Sequence, residues 1–584
     1  MKEIVSQAFK KRWTIKKLEE ISEVFKHLHL TEKIIFYSLI FIFVFSGLNI
    51  LKSANEALMV EVPNYSGSLH EGIVGTPRYI NPIIAISDAD RDMTTLIYSG
   101  LLKYTADGDL INDLAENYTV SDDGLTYTFT LKPDLIFHDG VKITTDDLKF
   151  TIDKVLDPTI KSPKMANWKN IKVNIVDDRQ IEFILPQPYP PFLSNLTIGI
   201  LPKHLWKDLN AENFPFSIYN TEPVGSGPYK IGSLTRDASG IISYYALVPF
   251  DNYTQGEAYI KNFYVHFYPS EAKLFEEIKS GLIESAGGLS PDNLNILSKD
   301  KKLEIKGVPL THIYGFFLNQ SQNQLFTSPE IRTALNDSLD RSRIVTEALA
   351  GYGDVLESPI PNALLPLNFY NGGGNVATAS STEIIKKLST AGWKLNKGGI
   401  LEKKVGKQTT QFSFTITTLD TPELRVTANI AKENWEALGA SVDLKFFEIG
   451  DLNQNIIRTR KYDVLLLGEV IGRDLDFYGY WHSSQRTGSG LNLSGFANKN
   501  VDKILEDSRK LDDKAKKAEK YLQFEKEIKK DLPAIFAYSH KYLYVTPTKL
   551  KNFYMTTMTT PSERFLDVSK WYVETENVWK ILIK

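Results

Sequence analysis

One apolar run, Ile34–Leu51 (IIFYSLIFIFVFSGLNIL), passes 18 residues without a charge. About 20 such residues carry a helix across a bilayer. A buried helix of a soluble core is the plain alternative, but the run is apolar all round and lies between charged flanks. A cleaved signal peptide is the sharper alternative. Against it, 33 residues precede the run, the run exceeds the usual apolar region of a signal, and Lys52-Ser53-Ala54-Asn55 makes a poor cleavage site. The expectation is an uncleaved, single-pass anchor in the cell membrane. Residues 1–33 carry eight Lys/Arg against five Glu, a net of +3, so this tail is expected in the cytoplasm and the main domain outside. Within the tail, Ile15, Leu18, Ile21, Phe25 and Leu28 recur at helical spacing. That suits a helix on the inner membrane face, or one meeting a partner. Residues 52–66 read as a tether.

The chain has 584 residues, too many for one core, so two or three domains are expected. Its formal charge of −3 gives no sign of a nucleic-acid partner. There is no cysteine, which leaves no disulfide, thiolate metal site, cysteine nucleophile or lipidated cysteine in this sequence. The nine His are scattered, and only His27 and His29 lie close together. No metal site and no cofactor are expected. The 28 Tyr and eight Trp suit a ligand cleft, although core packing has uses for most of them.

Strand and helix patterns follow one another along the rest of the chain. Leu69–Val74 reads as a strand, and Asp88–Leu102 as a helix. Leu114–Phe150 combines an alternating strand, Thr126–Leu131 (TYTFTL), an Asp139-Gly140 turn, and a helix start at Thr144/Thr145 followed by Asp146 and Asp147. Strands are predicted near Val173 and over Ile181–Leu185, and helices over Ser270–Ser280 and Pro329–Leu349. Further on, helices at Thr382–Leu388, Glu423–Leu438, Val501–Leu511 and Lys514–Lys530 alternate with strands at Phe412–Thr417, Val442–Phe447 and Tyr462–Leu467. Tyr542–Val545 and Trp571–Val573 read as strands. From about Leu310 onward this alternation predicts a largely parallel α/β sheet.

The chain resembles the family 5 extracellular solute-binding proteins, the peptide-binding receptors of ABC importers. The residues that carry the resemblance stand in family order. They are Leu114-Ala115-Glu116, Ser121-Asp122-Asp123-Gly124, Tyr127-Thr128-Phe129, Phe137-His138-Asp139-Gly140 and Asp146-Asp147-Leu148-Lys149-Phe150. Asn81-Pro82, Gly225-Ser226-Gly227-Pro228-Tyr229, Asp340-Arg341, Ala391-Gly392-Trp393 and Asn500-Val501-Asp502 add to them. The resemblance implies a two-lobed α/β fold of the type II periplasmic-binding-protein class, with a subdomain inserted in lobe 1. Lobe 1 is expected over 67–309, its subdomain over about 103–220, lobe 2 over 310–541, and a return to lobe 1 over 542–584. Crossings are expected near Leu310 and Tyr542. A peptide or other small solute would lie between the lobes, and ABC permease subunits would receive it. The outer domain is expected to be monomeric.

A receptor for many peptides binds what they share, a backbone and two charged ends. The resemblance implies an Asp just after a central strand of lobe 2 as partner of the terminal amine. That position falls here at Ile471, so the chain departs from the family pattern. Glu469, Asp474 and Asp476 are the candidates to replace it, with surface carboxylates as the bland reading of each. Tyr478 and Trp481 are candidate cleft walls, with a core role as the alternative. Thr76 and Tyr79 belong to the first-lobe loop implied to face the ligand, and Asn319 to a strand end beside the crossing. Within the same family a metal chelate or an oligosaccharide is the rival ligand. A hydrolase acting on peptides or cell-wall fragments is the rival from another class, but no Gly-x-Ser-x-Gly, His-Glu-x-x-His or Ser-x-x-Lys catalytic constellation stands out. A sensor signalling through residues 1–33 is a third reading. His138 reads as structural.

Overall fold

The structure, a computed structural model, describes residues 29–361, 364, 380–406, 408–473, 475–487, 490–511 and 513–582. The helical spacing from Ile15 to Leu28 and the candidate Asp474 lie outside the described residues. The chain divides into two compact units.

The first unit holds residues up to Asn64 together with Glu574–Lys584. Its helix, Leu30–Leu58, contains the apolar run and is long and apolar enough to cross a membrane. The segment expected as a tether is ordered instead. Ala54, Glu56, Ala57 and Leu58 are good helix formers, and the helix continues through them. Beyond it Met59–Pro63 is a strand paired antiparallel with Thr575–Trp579, Met59 opposite Trp579. The last expected strand therefore lies a few residues later than Trp571–Val573, and Glu574 onward belongs to this unit.

The second unit, Tyr65–Val573, is built on a mixed twelve-stranded sheet. Its longest strand, Ala534–Pro547, pairs at its start with His312–Leu318 and at its end with Leu303–Pro309. Only the tail of this strand was legible in sequence, because Ala534–Ser539 is buried on both faces and does not alternate. On one side lie Ser68–Val74, Asn262–Tyr268 and the hairpin Tyr229–Arg236/Ile242–Pro249. On the other lie Val464–Val470, Ser413–Leu419 and Ser441–Phe447. That second half is mixed rather than largely parallel. Ser413–Leu419 runs parallel to both its neighbours, whereas His312–Leu318 is antiparallel to Val464–Val470 and to Ala534–Pro547. Successive residues on a strand point to opposite faces. Phe316 accordingly packs with Ile416 and Trp435 under one face, and Phe317 with Leu465 and Trp481 under the other. A separate core, from Leu69 to Trp571, serves the first half.

Within Leu114–Phe150, strand Thr126–Leu131 buries Tyr127, Phe129 and Leu131. It is an inner strand of a four-stranded antiparallel sheet. Helix Thr145–Leu156 starts on a capping box in which Asp147 accepts from the Thr144 N–H at 2.9 Å. His138 is half-buried, and desolvation pulls its pKa down to about 4. The neutral ring accepts from the Gly225 N–H at 3.3 Å through Nδ1 and donates to the Gly227 carbonyl at 3.1 Å through Nε2. Gly225 must be glycine for a different reason: a Cβ there would come within 2.0 Å of the Ile97 carbonyl oxygen. This turn is pressed against the end of helix Asp88–Ile97, which stops five residues before its expected limit as the chain enters strand Leu102–Tyr104. The expected helix Pro329–Leu349 is two helices, Pro329–Ser338 and Arg341–Ala348. Asp340 caps the second by accepting from the Arg343 N–H at 2.9 Å.

Candidate functional site

Helix Asp88–Ile97 forms one wall of a cavity of about 440 Å³. Arg91 and Lys164 line it from different elements. Arg91 pairs with Asp88 of the same helix turn at 3.8 Å. Lys164 is solvent-exposed, yet enough protein crowds it that burial, and then the charge of Arg91, hold its pKa below the usual lysine range. No carboxylate pairs with Lys164 among the described residues. Arg91, loosely paired with Asp88, and Lys164 therefore share this space, with Asp113 and Glu563 on the same lining. Lys103, also on the wall, is occupied: its Nζ donates to the Tyr253 hydroxyl at 2.9 Å and to the Leu566 carbonyl at 2.8 Å. The buried Tyr98 hydroxyl has no partner among the described residues.

A buried ion network fixes this wall. Arg564 donates to Asp92 at 2.9 and 2.6 Å and to Glu71 at 3.2 and 3.0 Å, and Glu71 also accepts from the Tyr544 hydroxyl at 2.6 Å. One guanidinium serves two carboxylates, so it does not fully offset desolvation. Burial pushes Asp92 up to about 6. The adjacent Glu563 lines the cavity and accepts from Arg473 Nε at 2.9 Å and Nη2 at 2.7 Å. Arg473 also donates to the Thr557 carbonyl at 2.6 Å. It comes from the loop after Val464–Val470, so this loop meets the cavity wall through an ion pair.

The structure separates the residues singled out in that stretch. The strand expected to end at Leu467 continues to Val470, held by His312–Leu318 with Ile313 opposite Glu469. Glu469 is consequently a strand residue, 5% exposed, and not a loop carboxylate. Neither carboxylate oxygen has a hydrogen-bond partner among the described residues, and desolvation holds its pKa well above the usual range, only partly opposed by Arg460. Ile471, at the position implied for an amine partner, is fully buried in the core. Asp476 is engaged: Arg509 donates to it at 2.6 and 3.0 Å, and Tyr189 from the other half of the unit donates at 3.1 Å. Tyr478 stacks on His482 and lies under the Arg509 guanidinium, 3.9 Å from ring centroid to cation. Trp481 is 1% exposed and packs against Phe317, Phe496, Phe524 and Phe536, so its ring is a core ring. Asn319 is occupied by a turn, donating to the Arg460 carbonyl at 3.0 Å and accepting from the Ser321 N–H at 3.2 Å. Thr76 and Tyr79 are half-buried and do not line the cavity, though Pro82 and Ala85 of the same loop do.

Sequence reasoning passed over Arg91, Lys164, Arg473 and Glu563. Arg473 stands in the stretch from Glu469 to Trp481, where the sequence points to acids as amine partners and aromatics as cleft walls but gives no role to a cation. Lys164 sits in an irregular Pro/Lys segment with no pattern to mark it.

A two-lobed mixed α/β body with a cavity of mixed polar and apolar lining beside the contact between its halves is the architecture of the type II solute-binding class. The chain belongs to the bacterial extracellular solute-binding proteins, family 5, whose model (family 5 Middle) matches residues 109–490. It is 27% identical over 533 residues to the oligopeptide-binding protein AppA of Bacillus subtilis (strain 168), covering 89% of this chain and 95% of that protein. The structure of that AppA in complex with a nonapeptide superposes with a TM-score of 0.65 at 25% identity, covering 88% of this chain and all of the other. The ABC transporter substrate-binding protein CtaP of Listeria monocytogenes gives 0.70, also at 25% identity and with 88% and 100% covered. NikZ of Campylobacter jejuni, in complex with Ni(L-His), shares the fold with a TM-score of 0.65 at 24% identity, over 88% of this chain and 100% of that one.

Proposed function

We propose that the chain is a membrane-anchored, extracytoplasmic receptor that captures peptides between two hinged lobes and delivers them to an ABC permease, without chemistry of its own. The observation that carries the peptide reading is Glu469. A buried carboxylate without a partner among the described residues is costly. It lies at the end of the central lobe-2 strand, four residues before the arginine that reaches the cavity wall. A peptide ammonium group supplies the missing charge and hydrogen bonds, and Glu469 is the amine partner in this reading. Arg91 and Lys164 take the terminal carboxylate. The halves approach and part about the strands near Leu310 and Tyr542, and the Arg473–Glu563 and Tyr189–Asp476 contacts hold them together. The uncleaved helix keeps the receptor at the membrane.

A library of short peptides should raise the melting temperature of the protein. A screen with no shift for any peptide, beside a clear shift with an oligosaccharide or metal chelate, would sink the peptide reading. Glu469→Gln should weaken a free-amine peptide at least about tenfold, roughly 1.4 kcal/mol, while leaving its N-acetylated form unchanged. Arg91→Ala and Lys164→Ala should weaken peptides with a free carboxylate more than amidated ones.

A further inference from the structure

The first unit carries a second apolar feature besides its helix. The strand Thr575–Trp579 runs antiparallel to Met59–Pro63, so it heads back toward the helix as that strand leaves it. Trp579 stands opposite Met59, the first residue past the helix, and its indole N–H donates to the Asn55 side-chain oxygen at 2.9 Å. The chain then continues as a short turn, Lys580–Leu582. With its polar atom satisfied, Trp579 remains 49% exposed, and Ile581 and Leu582 are 86% and 72% exposed. Such exposure is unfavourable in water.

The position of these residues along the helix is decisive. Asn55 lies four residues beyond Leu51, the last residue of the uncharged run, which is about 6 Å of helix rise. Leu48, Leu51, Asn55 and Leu58 share one helix face, so Trp579 sits on the face that Leu48 and Leu51 continue toward the apolar run. That run is about 27 Å long as a helix, close to the thickness of a bilayer core. Asn55 is then at the level of the lipid headgroups. Indole rings favour that level, and lysines such as Lys52 and Lys580 favour anionic lipid there.

We propose that Trp579–Leu582 is a membrane-contact site: its apolar side chains enter the outer headgroup layer beside the helix and give the chain a second, interfacial hold on lipid. This rests on the reading of Leu30–Leu58 as an uncleaved span. A protein partner for the same residues is the competing occupant. Lipid is favoured by the indole placed one turn past the apolar run, by the basic residue within the turn, and by continuity with the apolar helix face.

The sequence has no cysteine, so one introduced cysteine is a unique reporter. The full chain should be placed in vesicles of phosphatidylcholine and phosphatidylglycerol with an environment-sensitive dye at Phe43→Cys, Ile581→Cys or the exposed loop position Ser239→Cys. The dye at 581 should show blue-shifted emission, loss of quenching by aqueous iodide relative to 239, and strongest quenching by a spin label near the lipid headgroup. The dye at 43 should respond most to a spin label deep in the acyl chains. Adding Trp579→Ala should restore iodide quenching at 581 without changing 43. Iodide quenching at 581 equal to that at 239, with 43 still in lipid, overturns the interfacial site and leaves the span standing. If 43 is also open to iodide, the span reading fails and this inference fails with it. Shielding of 581 in native membranes but not in vesicles assigns the segment to a protein partner and overturns the lipid site.

Discussion

Glu469 and Asp476 stand seven residues apart in the same stretch, and their surroundings treat them in opposite ways. Asp476 has a bidentate arginine and a tyrosine hydroxyl drawn from two other elements. Glu469 is enclosed by a strand partner and a core, with both oxygens unpaired among the described residues. The contrast teaches that an acidic side chain near a binding site is informative by what it lacks. Asp476 is satisfied and holds structure. Glu469 burdens the fold, and in the proposed reading its missing partner is a peptide amine.

Substitutions across this stretch can sharpen or break that contrast. The largest loss should follow Trp481→Ala, about 3–5 kcal/mol of stability for removing a fully buried indole, read by chemical denaturation. A loss of affinity without that loss of stability would return Trp481 to the cleft wall. Asp476→Ala should cost about 1–3 kcal/mol, because it leaves the half-buried Arg509 without its carboxylate. Glu469→Leu should move the other way and stabilise the ligand-free protein by about 1–3 kcal/mol, the usual toll of a buried polar group without a partner, while abolishing preference for a free amine. Its pH signature has a definite sign. The folded state holds the Glu469 proton more tightly than the unfolded chain, so the stability tied to that proton is complete below the ordinary carboxylate range. It declines as pH rises toward the elevated folded-state pKa. Glu469→Gln should flatten that decline in a melting series from pH 4 to pH 8 (roughly the span over which carboxylates and shifted carboxylates titrate). The smallest effect belongs to an exposed pair. Asp153→Ala, which removes the 2.9 Å contact with Lys149, should change stability by no more than about 0.5 kcal/mol.

The segments legible in sequence were those whose signal is local. Strand Thr126–Leu131 alternates, and helix Thr145–Leu156 opens with its own capping residues, so the strand's bounds and the helix's start are legible to within a residue. The site was less legible because its parts meet only in three dimensions. Arg91, Lys164 and Glu563 come from three separated segments, and no spacing rule joins them. Where the strand pattern stopped also mattered. Ending Val464–Val470 at Leu467 put Glu469 in a loop, because Gly468 and a charged residue mimic a strand end, whereas the pairing with His312–Leu318 carries the strand through both. In the segment expected as a tether, residues 52–58 continue the helix, and the partner of strand Met59–Pro63 lies far away in sequence, at Thr575–Trp579.

That partner strand also sets an order of events during synthesis. Asn55 and Trp579, joined by one hydrogen bond, are 524 residues apart. At translation rates of about 5–20 residues per second, the second strand follows the helix by roughly half a minute to two minutes. Until then Met59–Pro63 is an open strand edge, a form that invites wrong pairing or cleavage. A chain interrupted anywhere before Thr575 keeps that edge open. The two-stranded ribbon therefore closes only on a chain made through to Thr575–Trp579, and its closure distinguishes such chains from shorter fragments.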